Sequence, residues 1–273
     1  MQDFKYFKKI ISKNILFMMI LVLLLVGVSE RIVNLMVAND SYVLDRNKSI
    51  FRILREPENS VDIIVLGDSL GMTSISPMAW WGDYGMTGYV CGQTGQRMQE
   101  AFHMLQAAYE TQSPKLVILE TNMVFRCKNL SSEVKDCLGE IGYRYIPIFQ
   151  GHDIWKSILS EKQYPAENYK GFAFRCETVP YEQGEYMQKN DQKEEISKIV
   201  SFYLEKIRKL CEKNGTKLLL VSTPSPINCN YARHNSIEAY ARGGVCFLHH
   251  LSAGQGKGAG FCGFKLEDGR NRD

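Results

Sequence analysis

The chain reads as an α/β protein with a mostly parallel sheet and helices on both faces, three layers in all, preceded by an N-terminal transmembrane helix. Three observations predict this. Short apolar runs at Val61–Leu66, Lys115–Leu119 and Lys217–Val221 lack the strict alternation of a half-exposed strand, as expected of strands buried on both faces. Segments with helical spacing of apolar residues lie between these runs, so strands and helices alternate. The first 30 residues differ from everything that follows: lysines, then an unbroken apolar stretch.

Lys5, Lys8, Lys9 and Lys13 precede Ile15–Val28. Counted from Ile10 the segment is about 19 residues, enough to span a bilayer. The lysines predict a cytoplasmic N-terminus, with the rest of the chain outside. A cleaved signal peptide is the alternative, but small-residue cleavage signals are poor, Gly27-Val28-Ser29 being the best. The anchor thus occupies residues 1–30. Residues 31–59 read as an amphipathic stem in which Ile32, Val33, Leu35 and Met36 continue the apolar pattern. Arg52, Arg55, Glu56, Pro57 and Glu58 mark a polar connection. The globular domain is expected to begin near Ser60 and run to about 250.

Val61–Leu66 is the first predicted strand. Tyr89-Val90-Cys91 is a short second one, leading into Gly92-Gln93-Thr94-Gly95. A helix fits Gln96–Glu110, with Met98, Phe102, Leu105 and Tyr109 on one face, and Thr111-Gln112-Ser113-Pro114 ends it. Lys115–Leu119 is another buried strand. Residues 126–187, rich in aromatics, glycine and proline, read as an irregular insertion or cap over one end of the sheet. Lys193–Lys213 carries Ile196, Ile199, Val200, Tyr203, Leu204, Ile207, Leu210 and Cys211 at i, i+3, i+4, i+7 spacing, with Asn214-Gly215 as its stop. Lys217–Val221 is the next strand, closed by Thr223-Pro224-Ser225-Pro226. Tyr231–Ala241 suits a helix and Val245–Leu248 a last strand.

Composition excludes several functions. With 273 residues, 45% hydrophobic, the chain can bury a substantial core. Its net charge of +3 comes without a basic stripe interleaved with aromatics, so nucleic acid is not an expected partner. The eight cysteines are scattered, with no C-x-x-C and no Cys/His group at zinc spacing. Neither a disulfide framework, a metal nor a cofactor is predicted. Gly92-Gln93-Thr94-Gly95 lacks G-x-G-x-x-G spacing and no P-loop lysine follows it, which argues against nucleotide binding.

In a parallel sheet, sites form at the carboxyl ends of the strands. Ser69, the Gly92–Gly95 loop, Glu120-Thr121-Asn122 and the Pro224 loop all fall there. Gly67-Asp68-Ser69-Leu70-Gly71 spells the G-x-S-x-G elbow of α/β-hydrolases. It also spells the G-D-S-L block of the SGNH (GDSL) hydrolases. Position favours the second, because an α/β-hydrolase places several strands before its serine. The chain therefore resembles the SGNH family over roughly residues 60–125. Cys91-Gly92-Gln93-Thr94-Gly95-Gln96 is similar to that family's second block, with Gly95 the better match for the oxyanion glycine and Gly92 the second. Glu120-Thr121-Asn122 is similar to the third, with Asn122 in the asparagine role, although the usual G-x-N-D is altered.

The resemblance implies a flavodoxin-like SGNH fold and acyl transfer. Ser69 would be the nucleophile, with the Ser69 and Gly95 backbone N–H groups and the Asn122 amide as oxyanion donors. Losing one such donor typically costs about 3–4 kcal/mol of transition-state stabilisation. Asp68 is expected to order the turn rather than act as a base. Glu120 is a candidate for a structural hydrogen bond or salt bridge.

The family's fourth block, Asp-x-x-His, is absent from the sequence. His103 falls on a predicted helix, His152 in the insertion and His234 near a helix start; no carboxylate stands three residues before His249 or His250. The catalytic base is therefore unassigned. Glycine rises sharply after Gly243, so residues 251–273 read as a disordered or aberrant tail. A shift of reading frame near Arg242–Gly244, replacing the true end, is the expectation, with a native glycine-rich tail the alternative. A membrane-anchored, extracytoplasmic serine esterase or O-acyl-transfer enzyme follows, its substrate an acyl ester, for which a cell-envelope polysaccharide is one source. The rival is a surface interaction protein that keeps the fold without the base.

Overall fold

The structure, a computed structural model, describes residues 2–39, 48–126, 129–146, 169–175, 180–184, 186–242 and 246–250, with Phe149 and Leu159. His152, Val245 and the tail 251–273 lie outside the described residues, as does much of the expected insertion.

Helix α1 (Gln2–Ala38) is continuous, and within it Lys13–Ala38 is long and apolar enough to cross a membrane, its most apolar 18-residue window having a mean hydropathy of 2.4. Its apolar side chains from Ile15 to Val26 point outward all round, as on a helix solvated by lipid. The helix runs on into the segment read as a stem. Ile32, Val33, Met36 and Val37 form a face there that packs on Phe51 of α2 (Lys48–Ile53). Helix α2 also buries Ile50 and Ile53 in the main core. The globular part therefore begins ahead of Ser60: the charged residues from Arg52 to Glu58 mask a short helix whose other face is apolar.

Five parallel strands follow among the described residues: β1 (Ile63–Gly67), β2 (Gly88–Gly92), β3 (Leu116–Glu120), β4 (Lys217–Ser222) and β5 (Cys246–His250). Their order is β2-β1-β3-β4-β5. β1 and β3 are adjacent with the register Leu66↔Leu119, and the chain leaves in opposite directions on either side of them. In an open α/β sheet that reversal opens a crevice at the carboxyl ends of the two strands.

Both faces of the sheet are apolar. Ile64, Leu66, Tyr89, Cys91, Val117, Leu119, Leu218 and Leu220 pack with α2, with α5 (Met98–Ala108) and with α7 (Lys198–Lys213). Ile63, Val65, Val90, Ile118, Leu219 and Val221 form a second cluster with Ile75 and Trp80. Those two come from the segment of α3 (Ser69–Ser74) and α4 (Pro77–Tyr84). Each fully buried aliphatic side chain is worth about 1.5–3 kcal/mol. α8 (Tyr231–Arg242) adds Ile237 and Ala241 to the first cluster.

Turn chemistry sets where the strands start. Buried Gln112 accepts from the N–H groups of Ser60 and Val61 at 3.0 and 3.2 Å, fixing the entry to β1. Asn214 caps α7, and Gly215 follows in the left-handed region at φ +67°. Among its described residues, the region read as irregular, 126–187, includes the sixteen-residue helix α6 (Leu130–Tyr145). Asn129 opens it by accepting from the Ser132 N–H at 2.9 Å.

Candidate active site

Strand β1 delivers Gly67, Asp68 and Ser69 to the rim of the sheet, and α3 starts at once. The turn is close because Gly67 and Gly71 lie against the Glu120 side chain at the end of β3. A Cβ on Gly67 would sit 3.1 Å from the Glu120 Cβ and 3.0 Å from the Gly71 Cα, and one on Gly71 would sit 3.4 Å from the Glu120 Cβ. The two glycines of the motif are thus packing requirements of this turn.

Asp68 is completely buried and caps α3, its Oδ1 accepting from the Leu70 N–H at 2.8 Å. Its Oδ2 receives three donors: Asn122 Nδ2 at 2.6 Å, Arg126 Nη2 at 2.6 Å and Arg126 Nε at 3.1 Å. Arg126 therefore supplies the counter-charge for a carboxylate with no access to water. The expectation that Asp68 orders the turn holds, and its carboxylate also fixes the Asn122 amide.

Ser69 is the first residue of α3 and half-buried. Its carbonyl accepts the Thr73 hydroxyl at 2.8 Å, and among the described residues its own hydroxyl has no partner. Gly95 follows the end of β2, in a turn closed by the Gln96 N–H donating to the Gln93 carbonyl at 3.1 Å. Its φ of +70° is one that glycine adopts without strain. The nearest atom to a Cβ placed there is Arg126 Nη1, at 4.0 Å. Gly92 is different: a Cβ there would meet Met72 at 2.7 Å and the Gly67 carbonyl at 2.9 Å, so Gly92 spaces β2 from β1 and α3. Arg126 ties the Asn122 turn, which it ends, to the Asp68-Ser69 turn, and lies near the Gly95 loop.

Asn122 lies in a 3-10 turn, Thr121–Phe125, that leaves β3 directly. Its backbone N–H donates to Glu120 Oε1 at 3.0 Å, and the Thr223 hydroxyl donates to the same oxygen at 3.2 Å. Glu120 makes these hydrogen bonds but no salt bridge among the described residues. Burial, reinforced by the Asp68 charge and opposed by the Asn122 N–H, pushes its carboxyl up to about 8, so it is neutral at pH 7. One N–H of the Asn122 amide is committed to Asp68; an amide has a second to offer.

Behind Asn122 lies a small open cleft between β3, β4 and α8, lined by Glu120, Asn122, Ser222, Cys229, Arg233 and His234 among others. His234 lies in the first turn of α8, near the helix start as expected, and lines this cleft. His103 is buried on α5 among the rings of Phe102, Tyr145 and Tyr203, on the core side, which fits the structural role expected of it. His249 and His250 are the last residues of β5, in register with Val221 and Ser222.

Sequence reasoning missed Arg126 and assigned Thr223 and His234 no role at this site. Arg126 stands four residues after Asn122, a spacing too common to signal a role by itself. Only the fold brings it to Asp68. No protein-family model matches this chain, and no curated protein matches it.

Proposed function

We propose that the chain is a membrane-anchored, extracytoplasmic serine esterase or O-acyl-transfer enzyme of the SGNH type, with the three-layer flavodoxin-like fold of that family. The observation that carries this reading is the convergence on Asp68. The carboxylate beside the proposed nucleophile holds the amide of the proposed oxyanion asparagine, and the arginine that balances it lies near the proposed oxyanion glycine, 4.0 Å from where a Cβ would stand. The strand order, with its crevice between β1 and β3, supports the same location.

In this reading the Ser69 oxygen attacks the ester carbonyl, and the carbonyl oxygen gains charge. The N–H groups of Ser69 and Gly95 and the second amide proton of Asn122 receive it. The alcohol leaves with a proton, and the acyl-serine passes to water or to another hydroxyl. Extracytoplasmic placement rests on the lysines before the apolar helix; acyl esters of cell-envelope polysaccharide are the substrate class that placement suggests. Full-length chain in detergent is assayed with p-nitrophenyl acetate beside Ser69→Ala. Release of nitrophenol that vanishes in the variant supports the proposal; equal rates sink it for this ester.

A second reading, a surface interaction protein on the same fold, is favoured by two observations. Among the described residues nothing hydrogen-bonds the Ser69 hydroxyl, and the sequence has no Asp-x-x-His. Equal rates in that assay favour this reading.

A further inference from the structure

We propose that the β2 edge of the domain rests on the lipid surface of the membrane that α1 crosses. The inference depends on reading α1 as membrane-spanning, and goes beyond it by assigning which edge of the domain meets the bilayer.

The anchor attaches at this edge. The end of α1 packs on α2 through Met36 and Phe51. Helix α2 packs on β2, the outermost strand on that side: the Ser49 hydroxyl donates to the Gly92 carbonyl at 2.8 Å, and Ile50 and Ile53 share a cluster with Tyr89 and Cys91. Helix α4 covers the other face of the same strand, with Trp80 so close to Gly88 that a Cβ there would be 2.8 Å from the ring. Trp80 points inward. Its neighbour Trp81 is 61% exposed, and Met78, three residues earlier, is exposed too.

The segment 169–175 adds to the band. The Lys170 carbonyl accepts the Val90 N–H at 2.8 Å, and the Ala173 N–H donates to the Met72 carbonyl at 2.9 Å. This segment presents Tyr169 and Phe174, the latter 74% exposed. Single exposed apolar residues are ordinary on a water-facing surface. Here a methionine and three aromatic rings gather along the edge to which an apolar helix is fastened. Tryptophan and tyrosine favour the headgroup boundary, where a ring is half in hydrocarbon and half in water. The continuity of the chain with α1 selects lipid over other occupants, since it holds this edge beside the bilayer.

The test uses full-length chain in phosphatidylcholine vesicles, with and without lipid brominated near the headgroup end of its acyl chains. The chain is expected to float with the vesicles. Bromolipid should quench about a third of its tryptophan emission, because Trp81 is one of three tryptophans. Trp81→Phe should lose that component while floating equally well. A chain that floats but is quenched to the same extent with and without Trp81 overturns the docking and leaves the anchor intact. Shielding of Trp81 from both bromolipid and aqueous acrylamide also overturns it, in favour of a protein partner or second copy. A chain that fails to float overturns the anchor reading, and the docking with it.

Discussion

Asp68 and Glu120 are buried carboxyls under one turn, and they differ in what surrounds them. Asp68 has Arg126 and two further donors, the Leu70 N–H and the Asn122 amide; Glu120 has the Asn122 N–H and a hydroxyl, and lies next to the Asp68 charge. Arg126→Met should cost about 2 kcal/mol of stability in urea unfolding, since it strips charged hydrogen bonds from a carboxylate that stays buried. Arg126→Lys should recover part of this but not all, because it cannot offer two N–H groups to one carboxylate oxygen. Glu120 predicts a pH effect. Its ordinary value is 4.5 and its folded value about 8, so the folded state holds a proton that the unfolded chain releases. Its contribution to stability is full below about 4.5, falls as pH rises, and is gone above about 8. Urea midpoints at pH 5, 7 and 9 should therefore decline less in Glu120→Gln than in the wild type; parallel declines would refute the assignment. Ser69, Gly95 and Asn122 were legible because each closes an apolar run or precedes a helix. Arg126 was not legible, because its partner lies 58 residues away and nothing local marks the pair.

Gly67 and Gly95 separate two reasons for glycine at the element scale. At the β1–α3 junction the constraint is space, so Gly67→Ala must push apart β1, α3 and Glu120, at about 1–3 kcal/mol. After β2 the constraint is the backbone angle alone, so Gly95→Ala should cost about 1 kcal/mol of strain without crowding. Thermal unfolding should rank the variants in that order. If the proposed function is right, activity should rank them by a different rule, because Gly95 sets the direction of an N–H at the ester carbonyl. Strand positions were readable because β1 to β4, buried on both faces, leave little freedom in composition. Helix α6 was not readable. Its apolar residues do recur at Val134, Leu138, Ile141 and Tyr145, but Gly139, Gly142 and a dense polar sequence dilute the signal. Helix α2 was hidden for a related reason, six residues being too short for a period to emerge.

The whole molecule joins its apolar helix to the domain through packing as well as through covalent continuity. Phe51 is 1% exposed between α1 and the domain. Phe51→Ala should cost about 3 kcal/mol, and tyrosine and tryptophan probes should report one coincident unfolding transition if α2 is part of the cooperative core. Separate transitions would show that α2 peels away on its own. The strand order also bears on self-association. A terminal strand of a sheet normally offers a row of main-chain donors and acceptors on which a strand from another chain can add. At β2 part of that row is already used: Val90 gives its N–H to Lys170, and the Gly92 carbonyl takes the Ser49 hydroxyl. Gly171, at φ +79°, lies so close to the Val90 carbonyl that a larger residue has no room there. The sheet is thus terminated on this side by its own chain. What the edge presents outward is side chains, so it can be wetted by a fluid surface without becoming a template for fibrils.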